Sequence, residues 1–175
     1  MLPKLCLVLG GSNSGKSAYA EGLVLRDAAR ATYIATAQAY DAEMEAKIAA
    51  HQTRRGAEWQ TVEAPLDAAG AMDAASKDMP ILLDCVSLWL SNHLLAEHDL
   101  PPLQSVLIDA ALAHPAPVVI VSNEVGWGGI SENALARRFA RAQGALNQAI
   151  AARADLVVAV MAGLPLALKG QLPDG

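Results

Sequence analysis

Eight residues near the amino terminus, Gly10-Gly11-Ser12-Asn13-Ser14-Gly15-Lys16-Ser17, fit the pattern G-x-x-x-x-G-K-[ST]. Glycines let backbone N–H groups turn inward around an anion, and a helix starting at Lys16 adds the positive end of its dipole. A lysine at the seventh position reaches the outer phosphates of a nucleoside triphosphate, and the hydroxyl that follows it is a ligand for Mg²⁺. The pattern predicts triphosphate binding with Lys16 in a catalytic role. Phosphoryl transfer with two metal-side groups also needs an acidic residue at the end of a buried strand. Ile81-Leu82-Leu83-Asp84 offers one, making Ser17 and Asp84 the expected Mg²⁺ ligands. The alternative for Asp84 is a cap on a helix starting near Ser87.

The class of phosphate-loop protein is narrowed by what surrounds these groups. No N-K-x-D guanine-reading motif is present, and Cys85 follows Asp84 where a motor ATPase would usually place a water-activating Glu. A transferase instead excludes water and accepts a second substrate. Three further segments could serve one. In Asp41–Arg55, Glu43, Lys47 and His51 share one helical face and Arg54-Arg55 follow; on spacing alone this reads as a solvated face. Ser122-Asn123-Glu124-Val125-Gly126 is polar and follows a predicted strand, at the sheet edge where ligands of such folds bind. Arg137, Arg138 and Arg141 form either a phosphate-sensing stripe or the wet face of a helix.

The elements that must carry these groups alternate. Short apolar runs at Lys4–Leu9, Ala31–Thr36, Ile81–Asp84, Val118–Ser122 and Leu156–Met161 are each followed by an Ala-rich helical pattern, with Trp59–Glu63 as an extra strand. Such alternation predicts an α/β fold with a mostly parallel sheet. Ser131 is the expected N-cap of a long amphipathic helix with Leu135, Phe139, Leu146 and Ile150 on one face. Turns are expected at Glu97–Pro102, His114–Pro117 and Gly126–Gly129. With 175 residues, no repeat and no linker, the chain reads as one domain, 1–175.

Composition excludes several classes. A net charge of −5 argues against a nucleic-acid surface, so any anion site must be local. Aromatics make up only 4% of the chain, so its core must be aliphatic. Cys6 and Cys85 lie in apolar runs without metal-ligand spacing and read as reduced, buried thiols. The apolar run after Met1 is too brief for a secretory leader. The longest uncharged stretch, Leu156 to Leu168, is shorter than the roughly 20 residues of a membrane helix. A cytoplasmic enzyme without membrane insertion is expected.

Taken in order, LVLGGSNSGKSAYAE at Leu7–Glu21, YIATAQAYDAEMEAKIAAHQTRR at Tyr33–Arg55, WQTVEAP at Trp59–Pro65, ILLDCVSLWLSNHLL at Ile81–Leu95, SNEVGWG at Ser122–Gly128 and ALNQAIAARADLVVAVMAGLPLALK ending at Lys169 cover nearly the whole chain. This set resembles the bifunctional adenosylcobinamide kinase/adenosylcobinamide-phosphate guanylyltransferase family. The resemblance implies a P-loop NTPase-like fold with a mixed, mostly parallel sheet flanked by helices, and trimeric assemblies. It implies two reactions: ATP or GTP phosphorylates adenosylcobinamide, and GTP then guanylylates adenosylcobinamide phosphate through a covalent histidine, with Mg²⁺ as cofactor. The matching histidine is His51, so the resemblance reverses the solvated-face reading. It also implies that Gly10 to Ser17, Ala35, Thr36, Gln52, Arg54, Arg55, Glu63 and Asp84 line the nucleotide site, with help from Glu124. It gives no role to His93, His98 or His114, which read as surface or packing residues. The chain departs from the family pattern at Asn13, where Arg is common, at Gly56, at Ser131 and at Ala140-Arg141. These departures keep a guanylyltransferase without kinase activity as one alternative. A diverged NTP-dependent switch or ATPase, whose hydrolysis corrinoids leave unchanged, is another.

Overall fold

The computed structural model describes residues 1–38 and 56–173. Seven strands form one sheet in the order β3-β2-β4-β5-β1-β6-β7. They are β1 (Leu5–Gly10), β2 (Ala31–Ala35), β3 (Trp59–Glu63), β4 (Ile81–Asp84), β5 (Val118–Asn123), β6 (Leu156–Met161) and β7 (Leu164–Lys169). All neighbours pair in parallel except β6 with β7. The described helices are α1 (Lys16–Leu25), α2 (Ala68–Ala74), α3 (Val86–Leu95), α4 (Leu100–Ala113) and α5 (Ala134–Arg153).

Central parallel strands are covered on both faces, which is why β1 reads as an unbroken apolar run. Its residues alternate between two cores. Leu5 and Leu7 pack with Trp89 and Leu90 of α3, Leu107 of α4, and Leu146 and Ile150 of α5. Cys6 and Val8 pack on the other face with Ala20, Leu23 and Val24 of α1, and with Tyr33 and Trp59. Both cysteines are free and buried, as expected.

Three expectations are corrected. Asn133, not Ser131, caps α5: its side-chain oxygen accepts from the Ala136 N–H at 3.0 Å. Ser131 sits two residues too early and its hydroxyl instead accepts from the Asn133 N–H. Leu135 of the expected apolar face is exposed, because the first turn of α5 projects past the core; Leu146 and Ile150 are buried. Glu97–Pro102 is not wholly a turn. Leu100, Pro101 and Pro102 already belong to α4, where missing proline N–H groups cost nothing in the first turn.

The uncharged stretch 156–168 is a β-hairpin, β6–β7, rather than one strand. Its two turn residues, Ala162 and Gly163, have φ of 52° and 77°, the left-handed pair that a tight hairpin requires. Among the described residues no helix is long and apolar enough to cross a membrane.

Candidate functional site

The phosphate loop runs from the end of β1 into α1. Gly10 has no room for a side chain: a Cβ there would meet the Ser14 hydroxyl and lie 2.7 Å from the Val160 carbonyl oxygen. Gly15 has φ 89° and a Cβ on it would sit 3.2 Å from Gly163 Cα. The β6–β7 turn therefore braces the loop, and the Gly163 N–H donates to the Ser14 carbonyl at 2.9 Å. Asn13 has φ 55°, a conformation that asparagine tolerates better than most residues. The departure from arginine thus suits the local backbone.

Helix α1 starts without a side-chain cap and without an acidic residue in its first turn. Its unpaired N–H groups and dipole are thereby left facing the loop, which favours an anion. Lys16 is half-buried and its ammonium donates to the Gly11 carbonyl at 3.1 Å, folding over the same cradle. Ser17, also half-buried, follows it on α1.

Strand order decides what faces the loop. Strand β5 lies between β1 and β4, so at about 4.8 Å per strand Asp84 stands roughly 10 Å across the sheet from the end of β1. The Asp84 carboxylate is half-buried and accepts a hydrogen bond from the Tyr33 hydroxyl at 2.7 Å. Cys85, not Asp84, occupies the N-cap position of α3, so the helix-capping alternative is not what the structure shows. Burial pushes the Cys85 thiol up to about 12, reinforced by the Asp84 carboxylate, while the Lys16 ammonium acts in the opposite sense. That thiol stays protonated and plays no part in acid–base chemistry near neutral pH.

Thr36 is fully buried. Its hydroxyl donates to the Cys85 carbonyl at 2.6 Å and accepts from the Cys85 N–H at 3.0 Å, locking the ends of β2 and β4 together. Ala35 lies between Glu63 and Asp84 in the sheet register. Glu63 ends the edge strand β3, four strands from β1, or roughly 19 Å. It is therefore beyond reach of the phosphate loop, on the side where the far end of a nucleotide extends. Between these lies Glu124, whose N–H donates to the Gly10 carbonyl at 3.0 Å and whose carboxylate accepts from the Gly126 N–H. His51, Gln52, Arg54 and Arg55 lie outside the described residues.

The sequence reading missed Tyr33, Gly163 and a buried amide network. Gln143 and Asn147 of α5 meet Ser122 at the end of β5, and the Ser87 hydroxyl of α3 accepts from the Asn123 N–H at 2.7 Å. The signal for the network was available: two amides at four-residue spacing on the apolar side of α5.

Among the described residues no cluster of three or more His, Cys, Asp or Glu side chains could cage a metal. That suits Mg²⁺, which takes one or two protein oxygens and completes its shell with phosphates and water. The hard oxygens of Ser17 and Asp84 are such a donor set.

A mostly parallel sheet flanked by helices, with this loop between β1 and α1, defines a P-loop NTPase-like protein. A flagellar accessory protein FlaH from Methanocaldococcus jannaschii shares the fold with a TM-score of 0.55 at 13% identity, over 98% of this chain and 80% of that one. Residues 6–168 match the family described as cobinamide kinase / cobinamide phosphate guanyltransferase, and the chain belongs to that family. It is 42% identical to a bifunctional adenosylcobalamin biosynthesis protein CobP of Pseudomonas aeruginosa over 94% of this chain and 97% of that one. It is 40% identical to a bifunctional adenosylcobalamin biosynthesis protein CobU of Salmonella typhimurium over 94% and 99%.

Proposed function

We propose that this protein phosphorylates the side-chain hydroxyl of adenosylcobinamide with ATP or GTP and then transfers GMP from GTP to the resulting phosphate. The observation that carries this reading is the family match over residues 6–168, with relatives named as bifunctional along almost their entire length. In the first step the hydroxyl oxygen attacks the γ-phosphorus in line and the nucleoside diphosphate leaves. Lys16 and the N–H groups of Gly11 to Ser17 stabilise the charge that develops on the transferred phosphoryl oxygens. Ser17 and Asp84 would hold Mg²⁺, which when bound neutralises charge on the β- and γ-phosphate oxygens. Gly10 shapes the start of the loop, and Ser12, Asn13, Ser14 and Gly15 complete its backbone cradle.

In the second step an imidazole nitrogen of His51 attacks the α-phosphorus of GTP and pyrophosphate leaves, giving a phosphoramidate. A phosphate oxygen of adenosylcobinamide phosphate then attacks that phosphorus and His51 is released. Gln52, Arg54, Arg55, Ala35, Thr36 and Glu63 belong to the same nucleotide site in this reading. A homotrimer, a cytoplasmic setting and a single domain complete it.

The test is incubation with Mg²⁺ and GTP labelled at the α-phosphate, followed by denaturation. Label should remain on the wild-type protein and be absent from His51→Ala. Label retained by His51→Ala would remove His51 from the chemistry, and label on neither would remove the covalent route. Because Asn13 fits its backbone conformation, kinase activity with adenosylcobinamide is expected to be retained.

A further inference from the structure

Beyond the phosphate loop lies an open cleft of about 610 Å³, lined on one side by residues 125–131 and on the other by Ala136, Arg137, Phe139 and Arg141 of α5. Two large apolar side chains stand at its rim with almost no cover: Trp127 is 78% exposed and Ile130 91% exposed. Burying such groups is worth roughly 1.5–3 kcal/mol each, so leaving them in water asks for a partner. The rim is also held in place. The Arg137 guanidinium donates to the carbonyls of Ser131 and Glu132, tying the loop to α5, and the Glu124 carboxylate holds the Gly126 N–H.

Position and charge say what the partner is. Strand β5 emerges between the phosphate-loop strand and the Asp84 strand, and Glu124 is bonded to Gly10. Trp127 is three residues further on, so its Cα lies within about 11 Å of Glu124 Cα. Arg141, one helical turn beyond Arg137 on the same side of α5, is exposed and has no hydrogen bond or ion pair among the described residues. A flat apolar rim and a free cation, beside the end of the site where the γ-phosphate is transferred, complement a broad conjugated ring carrying a phosphorylated arm. On a chain of net charge −5 a local cation of this kind is selective for such an anion.

We infer that this cleft is the corrinoid subsite: Trp127 and Ile130 take the face of the corrin ring, and Arg141 takes the phosphate that the first reaction adds. The inference rests on the function proposed above and adds to it the acceptor's location. Equilibrium dialysis with adenosylcobinamide and with adenosylcobinamide phosphate tests it on the full-length protein. Trp127→Ala should bind both corrinoids about tenfold more weakly, as loss of a stacked indole predicts. Arg141→Gln should weaken adenosylcobinamide phosphate about tenfold and adenosylcobinamide less than twofold, a split that a structural defect does not produce. Each variant should still be thermally stabilised by GTP, which establishes that it is folded. Unchanged corrinoid affinity in both variants, with wild-type binding intact, overturns the subsite alone. Failure of the wild type to bind either corrinoid overturns the proposed function and the subsite together. A smaller sedimenting mass for Trp127→Ala would make the rim a contact between copies of the chain, and that too overturns the inference.

Discussion

Among single residues, Tyr33 shows how much of the site depends on groups that touch no substrate. It is 2% exposed, its ring meets Trp59 edge-on at 5.5 Å, and its hydroxyl donates to Asp84 at 2.7 Å. One lone pair of the carboxylate is therefore fixed, which leaves the remaining oxygen directed by the sheet rather than by solvent. Tyr33→Phe should remove this hold without opening a cavity. A charge-assisted hydrogen bond of this kind contributes roughly 1.5–3 kcal/mol. The expected result is a loss of stability toward the lower end of that range in urea titrations, because water can replace the hydroxyl at the half-buried carboxylate. The Mg²⁺ concentration for half-maximal kinase activity should rise several-fold. An unchanged Mg²⁺ dependence would show that Asp84 needs no help from Tyr33.

At the scale of elements, α3 gathers the ends of the strands. Asn92 donates from its amide nitrogen to the Thr36 and Pro65 carbonyls, and the Trp89 indole donates to Leu66. The His93 Nε2 lies 3.0 Å from the same Leu66 carbonyl and its Nδ1 lies 2.8 Å from His98 Nδ1. Donation from Nε2 requires that His93 be neutral and accept at Nδ1, with His98 as the donor. Burial holds the His93 pKa below its usual value, and the nearby His98 lowers it further, against the opposing pull of the Leu66 carbonyl. The unfolded chain therefore binds more protons than the folded one below the ordinary histidine pKa of about 6.5. Stability from this group is present above that pH and is lost as pH falls below it. The urea midpoint should drop between pH 7.5 and 5.5, and His93→Gln should flatten that drop; an equal drop in the variant would place the acid sensitivity elsewhere.

The same elements explain what could be read in advance. Strands β1, β2, β4, β5 and β6 were legible because each is a short aliphatic run ending near polar residues, and Lys16, Ser17 and Asp84 because their spacing is dictated by phosphate and metal chemistry. The α5 start was misplaced by two residues because serine and asparagine compete as caps, and only tertiary packing decides where the helix leaves the loop. Strand β7 was hidden: Leu164-Pro165-Leu166-Ala167-Leu168 is apolar at every position, so it lacks the alternation of a half-buried strand. Tyr33 was invisible as a site residue since nothing in a buried strand says which aromatic will meet a carboxylate 51 positions away.

At the scale of the whole molecule, the sheet is shared property of both cores. Leu5 and Leu7 of β1 belong to the core that contains Trp89, whereas Cys6 and Val8 belong to the one that contains Trp59. Neither core can melt while β1 stays ordered, because alternate side chains of one strand cannot leave separately. The expected consequence is a single cooperative transition across the chain, consistent with the one-domain proposal. Two variants carry the test: Trp59→Phe with Trp127→Phe leaves Trp89 as the reporter, and Trp89→Phe with Trp127→Phe leaves Trp59. Each variant is followed in urea by its one tryptophan and by far-ultraviolet circular dichroism. Within each variant the two signals should share one midpoint and one slope. Adding GTP at about 100 times its dissociation constant should move both together by roughly 2.7 kcal/mol, since the phosphate loop leaves the sheet at the end of the same strand. A tryptophan signal that moves apart from the backbone signal, or a GTP shift felt by one face only, would mean that the sheet does not couple its two sides.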